Sequence, residues 1–356
     1  MDLRDRLRSV FGEGAELGRS GTPSVLPGGE RKNEFGAFWL RTEDYPLQAP
    51  HGHRKLDELR SIDAGRLADL TGDASLKAFD PDHAVFLDTE TTSLSGGAGV
   101  FVFMAGIGFV HEGCFRVEQY FMRDYDEEAA MLTAFNERCA EATGMVSFFG
   151  KNFDRYRLED RMAALGIPSS LPVGRHLDLY HVGRRLYQGR YPNLKLKTLE
   201  DRLLGFHRHG DIPGAECPQA FFDYLAGADH GRLAEVFEHN LWDILSLAVL
   251  AAEVVSEPAT ALDRYTLACV HLKNRNPVKA RPLLEQACQD LPPGPEAFDA
   301  HLRLARILKN EKEIAASLLH LEKALAVSPV NPKALLDMAK LQEHQRRAYP
   351  EALSFA

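Results

Sequence analysis

The sequence predicts an α/β domain, a mixed sheet flanked by helices, followed by an all-α helical-repeat domain. Two features carry this expectation. Between Ala84 and Leu165, short β-type runs bounded by turn residues are interleaved with segments whose apolar residues repeat at helical spacing. Beyond Glu257-Pro258 only the helical pattern persists, and similar residues recur at intervals of 34 to 37 positions. With 356 residues, 45% of them hydrophobic, the chain is long enough to bury two cores. The expected division is an N-terminal, partly irregular extension over 1–80, the α/β domain over 81–257, and the helical repeats over 258–356.

Residues 1–80 show no sustained periodicity, with turn signals at Gly12-Glu13-Gly14, Gly28-Gly29 and Tyr45-Pro46, and a short helix is expected near Leu3 to Phe11. Ala84 to Asp88 is then a first β-type run, followed by the glycine-rich loop Ser95 to Gly99, a second run from Val100 to Val110, and a third from Cys114 to Met122. Their closeness in sequence favours an antiparallel meander. In Asp126 to Ala142, Ala129, Leu132, Phe135 and Cys139 fall at helical spacing, with acidic residues first, as the helix dipole favours. Met145 to Phe149 is a fourth strand, and Phe153 to Leu165 a helix closed by Gly166 and Pro168. Three strands, helix, strand, helix is the order of a ribonuclease H-like core. A fifth strand would end at Asp178, with helices at Lys195 to Leu204, Gln219 to Leu225 and Arg232 to about Val255. In the last third, Leu267-Ala268 is matched by Leu304-Ala305 at a spacing of 37, Ala305 by Ala339 at 34, and Pro292 by Pro329 at 37. Helix pairs with such a period point to tetratricopeptide-like repeats, with an ordinary α-hairpin domain as the simpler alternative.

Composition narrows the function. The longest apolar runs carry glycine and fall short of the roughly 18 residues that a membrane span needs. The alternating charges of Met1 to Arg6 do not suit a secretory leader, so a cytoplasmic protein with no membrane partner is expected. Five cysteines without CxxC spacing argue against a disulfide framework and a structural zinc site, leaving reduced, buried packing residues as the expectation. The net charge of −9 is unevenly spread: residues 151–210 hold 12 Lys plus Arg against 6 Asp plus Glu. A basic segment in an acidic chain suits a cationic groove beside an acidic metal site, as well as ordinary solvated helix surfaces.

Asp88 and Glu90 end the first β run, where strand alternation points both carboxylates to one face. Two acids so placed repel and lose solvation unless a divalent cation lies between them. Asp154 follows the fourth strand at a helix start, a position that alone also suits an N-cap. His239 and Asp243 stand four apart within an otherwise apolar helix, and so share a face. An all-carboxylate set suits Mg²⁺ or Mn²⁺ better than zinc. His239, with a reference pKa of about 6.5, could accept a proton from attacking water. Asn152 and Asn240 are candidates for positioning substrate or water, and Thr89 and Thr91, beside the acids, are further candidate substrate contacts. Lys151, Arg155 and Arg157 are candidate phosphate contacts, and Asp178 is the runner-up carboxylate.

At Phe86-Leu87-Asp88-Thr89-Glu90-Thr91-Thr92, Asn152-Phe153-Asp154, Asp211-Ile212-Pro213-Gly214 and His239-Asn240-Leu241-Trp242-Asp243-Ile244-Leu245, the sequence resembles the DEDD superfamily of ribonuclease H-like 3′–5′ exonucleases, and within it the YprB-type ribonuclease H-like family. The resemblance covers about residues 82–255. It implies that Asp88, Glu90, Asp154 and Asp243 hold two Mg²⁺ or Mn²⁺ ions for phosphodiester hydrolysis, on DNA or RNA with a single-stranded end. One position departs from the pattern: such enzymes have Tyr with three residues between it and the last Asp, or His with four, and here His239 stands at the Tyr spacing. The helical repeats would serve a protein partner. Two other functions fit the same residues, a non-catalytic interaction scaffold built on the repeats and an endonuclease on RNA–DNA hybrids.

Overall fold

The computed structural model describes residues 26–93, 99–228 and 230–346. The helix expected near Leu3 to Phe11, and the loop from Ser95 to Ala98, lie outside them. The described residues divide into two units, one drawn from 1–62, 78–180 and 195–253, the other from 63–77, 181–194 and 254–356.

The first unit is built on a seven-stranded sheet. Its strands are β1 (Gly29–Asn33), β2 (Gly36–Pro46), β5 (Ala84–Thr91), β6 (Val102–His111), β7 (Cys114–Phe121), β8 (Gly144–Ser147) and β9 (His176–Asp178), while β3 (Pro50–His51) and β4 (Arg54–Lys55) pair separately. The order across the sheet is β1-β2-β7-β6-β5-β8-β9. Neighbours from β1 to β5 run antiparallel, and β8 and β9 add in parallel. This is a mixed, ribonuclease H-like sheet, and the expected meander is its centre. Nearly every residue of β5 and β6 is buried, as befits strands covered on both faces. Within the segment read as a partly irregular extension, β1 and β2 continue the sheet. β2 pairs with β7 from Trp39↔Phe121 to Pro46↔Cys114. Its Arg41, Thr42, Glu43 and Asp44 blur any apolar alternation, so the pairing comes from the partner strand rather than from a local signal.

Helices α1 (Ala64–Thr71), α2 (Glu128–Cys139), α3 (Asp154–Ala164), α4 (Leu179–Tyr187), α5 (Leu196–Leu199), α6 (Cys217–Leu225) and α7 (Gly231–Val254) follow, α5 passing into a π-turn over Glu200–Leu204. Aromatic packing ties α6 and α7 to the sheet. Phe221 stacks on Phe103 with centroids 4.4 Å apart, and Phe237 meets Phe121 edge-on at 5.3 Å. Beside this cluster, α7 lies directly on the backbone of β6. A Cβ at Gly106 would stand 2.1 Å from Asn240 Oδ1 and 2.5 Å from Ile244, and one at Gly108 would stand 2.6 Å from Ile244.

In the second unit, α8 (Ala261–Lys273), α9 (Pro277–Asp290), α10 (Pro295–Asn310), α11 (Ile314–Val327) and α12 (Pro332–Arg346) follow one another through short turns. The starts of α8, α10 and α12 are 34 and 37 residues apart. Thr260 and Asp263 form a capping box at α8, and proline opens α9, α10 and α12 at a position whose N–H has no helical partner. Helix α1, which lies in the segment read as the extension and was not expected as a helix, belongs to this unit. Asp63 caps it, and Asn274 Nδ2 donates to Asp69 O at 2.5 Å while Arg66 Nη2 donates to Ser256 O at 2.8 Å. Its buried Leu67, Ala68 and Leu70 explain the recruitment: alone it could not cover them. Among the described residues no helix is long and apolar enough to cross a membrane.

The glycine contact yields a test. Gly106→Ala places a methyl group inside the radius of Asn240, so the urea midpoint should fall by an amount equivalent to about 1–3 kcal/mol, the usual cost of overpacking. An unchanged midpoint would show that α7 is not seated on β6.

Candidate active site

Asp88 of β5 pairs across the sheet with Gly106 of β6, and Gly106 with Gln119 of β7. Asn240 of α7 lies over this row. Its Nδ2 donates to Asp88 Oδ2 at 2.8 Å, and its Oδ1 accepts from Gln119 Nε2 at 2.8 Å. Gln119 Nε2 also donates to Phe237 O at 2.7 Å. Asn240, expected to meet substrate, is thus fully buried and orients Asp88 instead. The two threonines are likewise committed inside the fold. Thr89 Oγ1 donates to Asp154 Oδ1, and Thr91 Oγ1 donates to Ser93 O at 2.9 Å. Glu90 is buried, at a register shift between Glu90 and Thr91.

Asp154 is the first residue of α3, and Phe153, not Asp154, stands at the cap position. The loop before it is braced by Asp178, which accepts from Phe149 N at 2.9 Å, Lys151 N at 3.0 Å and Tyr180 N at 3.0 Å. The runner-up carboxylate therefore shapes the loop that delivers Asp154. Phe149 sits in the left-handed region at φ 66, and a Cβ at Gly150 would be 2.4 Å from Ser147 Oγ, so the turn is tight. Of the candidate phosphate contacts, Arg155 pairs with Glu159 at 3.0 Å and Arg157 with Asp160 at 3.8 Å, while Asn152 is exposed and Lys151 half-buried.

Asp243 and His239 share a face of α7, with His239 Nε2 3.8 Å from Asp243 Oδ2. His239 Nδ1 lies 2.7 Å from Asp211 Oδ1. Arg208, its side chain only 2% exposed, bonds Asp243, pairs with both oxygens of the fully buried Glu200 and reaches Asp211 at 3.6 Å. The Cys217 thiol, at the start of α6, joins Glu90 and His239 in a group whose ligand atoms lie within 4.8 Å of one another. Asp211, Arg208, Glu200 and Cys217 were not singled out as site residues from the sequence. Asp211 lies in a segment that carried the resemblance, but spacing gave it no role. Cys217 also departs from a simple packing residue, and Cys114, Cys269 and Cys288 are only half-buried.

The electrostatics follow from this crowding. Burial, reinforced by Asp243, Glu90 and Asp154, raises the Asp88 carboxyl well above its usual range. Burial pushes Glu90 up to about 8, with His239 opposing and Asp243 and Asp154 adding to the rise. Burial also raises Asp154 to about 6, against the Thr89 hydrogen bond. Ionisation of Asp88, Glu90 and Asp154 is therefore penalised by burial and by neighbouring carboxylates, and the donor set of these three with Asp243 fits a divalent cation, whose charge would relieve the penalty. Burial opposes a charge on His239, but the Asp211 hydrogen bond and the carboxylates of Asp243 and Glu90 outweigh it and lift its pKa to about 9. Without a cation, the neighbouring carboxylates thus outweigh burial and favour the protonated imidazole.

Residues 85–255, the segment that holds the four carboxylates and His239, match the family model described as RNase_H superfamily. The chain is 28% identical over 327 residues, 89% of its own length and 79% of the other's, to a Bacillus subtilis (strain 168) protein described as "Uncharacterized protein YprB". Among solved structures it is similar to the family B DNA polymerase from the hyperthermophilic archaeon Pyrobaculum calidifontis, with a TM-score of 0.39 and 16% identity over 65% of this chain, and it spans 29% of the polymerase chain.

Protonation linkage gives a prediction. Glu90 and Asp154 keep protons when folded at pH values where the unfolded chain has lost them, so stability falls as pH rises from about 4 toward 8. His239 acts in the same direction, its contribution being lost as pH rises through about 9. The melting temperature without divalent cations should therefore drop between about pH 5.5 and 8.5, and Mn²⁺ should raise it more at the higher pH. An Mn²⁺ effect independent of pH would separate cation binding from these carboxylates.

Proposed function

We propose that this protein is a metal-dependent nuclease that hydrolyses nucleic-acid phosphodiester bonds as a 3′–5′ exonuclease. The observation that carries the proposal is the convergence of Asp88 and Glu90 on β5, Asp154 at the start of α3 and Asp243 on α7, with Glu90 and Asp154 buried and Asp88 and Asp243 half-buried, in a segment that matches the RNase_H superfamily model. In this reading those four residues hold Mg²⁺ or Mn²⁺, two ions in all. When bound, the cations supply the Lewis acidity that in-line phosphodiester displacement needs.

The chain's own groups then have distinct tasks. Asn240 fixes the rotamer of Asp88, and Thr89 that of Asp154. Arg208 holds one oxygen of Asp243, leaving the other facing His239. Asp211 occupies Nδ1 of His239, so Nε2 is the nitrogen turned toward the carboxylates. With the carboxylates neutralised, the imidazole loses charges that hold it protonated, and Nε2 becomes able to accept a proton. Lys151, Asn152, Arg155 and Arg157, around the start of α3, face incoming phosphates in this reading. The proposed catalytic domain is 81–257, and residues 258–356 serve as tetratricopeptide-like repeats that bind a protein partner. The half-buried, unbridged cysteines suit a reducing cytoplasm.

The test is a time course on end-labelled single-stranded, duplex and RNA–DNA hybrid oligonucleotides with Mg²⁺ or Mn²⁺. A ladder shortening from the 3′ end is expected. Internal products confined to the hybrid would mark an endonuclease, and absence of cleavage on every substrate would leave a binding scaffold. Asp88→Asn and Asp154→Asn should each abolish cleavage while circular dichroism stays that of the folded chain, and a variant with more than about a tenth of the activity would remove that residue from the metal set. His239→Gln should cost about 10²- to 10⁴-fold in single-turnover rate, and a smaller loss would leave it as a water-positioning group.

A further inference from the structure

We propose that Cys288, His301 and His320 form a binding site for a transition-metal ion of the zinc class within the helical unit, apart from the carboxylate cluster. The three residues come from successive helices, Cys288 from α9, His301 from α10 and His320 from α11. One ligand atom from each lies within 4.8 Å of the others. The facing Nδ1 atoms of His301 and His320 are 2.9 Å apart. A tetrahedral ion with bonds of about 2.0–2.3 Å would set its ligand atoms about 3.3–3.6 Å apart, so small side-chain rotations suffice.

The donor set selects the ion. A thiolate with two imidazoles suits Zn²⁺, Co²⁺ or Cu⁺, not Mg²⁺ or Mn²⁺. An imidazole pair joined by one hydrogen bond would tie α10 to α11 without a metal, but it gives no reason for a thiol from a third helix to converge on it. Cys288 and His320 are half-buried while His301 is buried, so the site has an opening and room for a water as fourth ligand. Burial, with Lys323 adding to it, keeps His301 and His320 below the usual imidazole range and hence neutral, the form that coordinates. Glu285 offsets the Lys323 charge at Cys288 and His320. On binding, the Cys288 thiol releases its proton to solvent. The proton on the shared Nδ1 contact moves to the Nε2 of the same ring, so that both Nδ1 lone pairs face the ion.

The probe is Co²⁺ added to the full-length reduced protein, read by its thiolate-to-cobalt charge-transfer absorption and then displaced by Zn²⁺. The band is expected in the wild type and in Cys217→Ser, which removes the other thiol near imidazole, and is expected to vanish in Cys288→Ser. His301→Gln and His320→Gln should weaken it at unchanged circular dichroism. Absence of the band in the wild type would overturn the proposal, as would its survival in Cys288→Ser with loss in Cys217→Ser, which would place the ion at the carboxylate cluster. Should Cys288→Ser fail to fold, alkylation of Cys288 decides instead: protection by Zn²⁺ supports the site, and equal labelling with and without Zn²⁺ overturns it.

Discussion

The close approach of α7 to β6 is the constraint on which the carboxylate cluster depends. Gly106 and Gly108 leave the strand without side chains at the contact, and Ile244 and Asn240 occupy that space. The same contact allows Asn240 to bridge Gln119 and Asp88, joining β7 and β5 to the helix through a single amide that passes over β6. Asp243 lies three residues on from Asn240, and His239 immediately before it. A helix held further out would lose the Asn240 bridge and carry Asp243 away from Asp88, and the strand acids would face solvent instead of one another.

That geometry creates a second constraint, one of charge. Burial raises Asp88, Glu90 and Asp154 together, and the cations against this set, Arg208 and the protonated His239, are shared with Glu200, Asp211 and Asp243. The fold therefore tolerates an acidic centre that it does not itself neutralise. Such a centre weakens the folded state, and cation binding is the physical remedy. His239 answers to the same field: the acids that would attract a cation are those that keep its imidazole protonated.

Much of this was legible in the sequence. The D-x-E spacing of Asp88 and Glu90, the helix start at Asp154 and the four-residue step from His239 to Asp243 each fixed a residue to an element, and the meander follows from short turns. What was not legible lies across the sheet or between distant segments. Asn240 looked like a substrate contact because nothing local reveals that Gln119 and Asp88 consume its amide. Asp178 looked like a spare ligand, yet it holds three backbone N–H groups of the loop and helix beside it. β1 and β2 have too little alternation to stand out, and α1 is ordered by Asn274, Lys279 and Ser256, about two hundred residues later.

The central claim is that the buried carboxylates form a divalent-cation site, and counting bound Mn²⁺ by electron paramagnetic resonance tests it most directly. Titrating the full-length protein at pH near 8, the proposed arrangement predicts two Mn²⁺ ions per wild-type chain and fewer, more weakly held, in Asp88→Asn and Asp154→Asn. Equal numbers of ions bound with equal affinity in the wild type and both variants would contradict it.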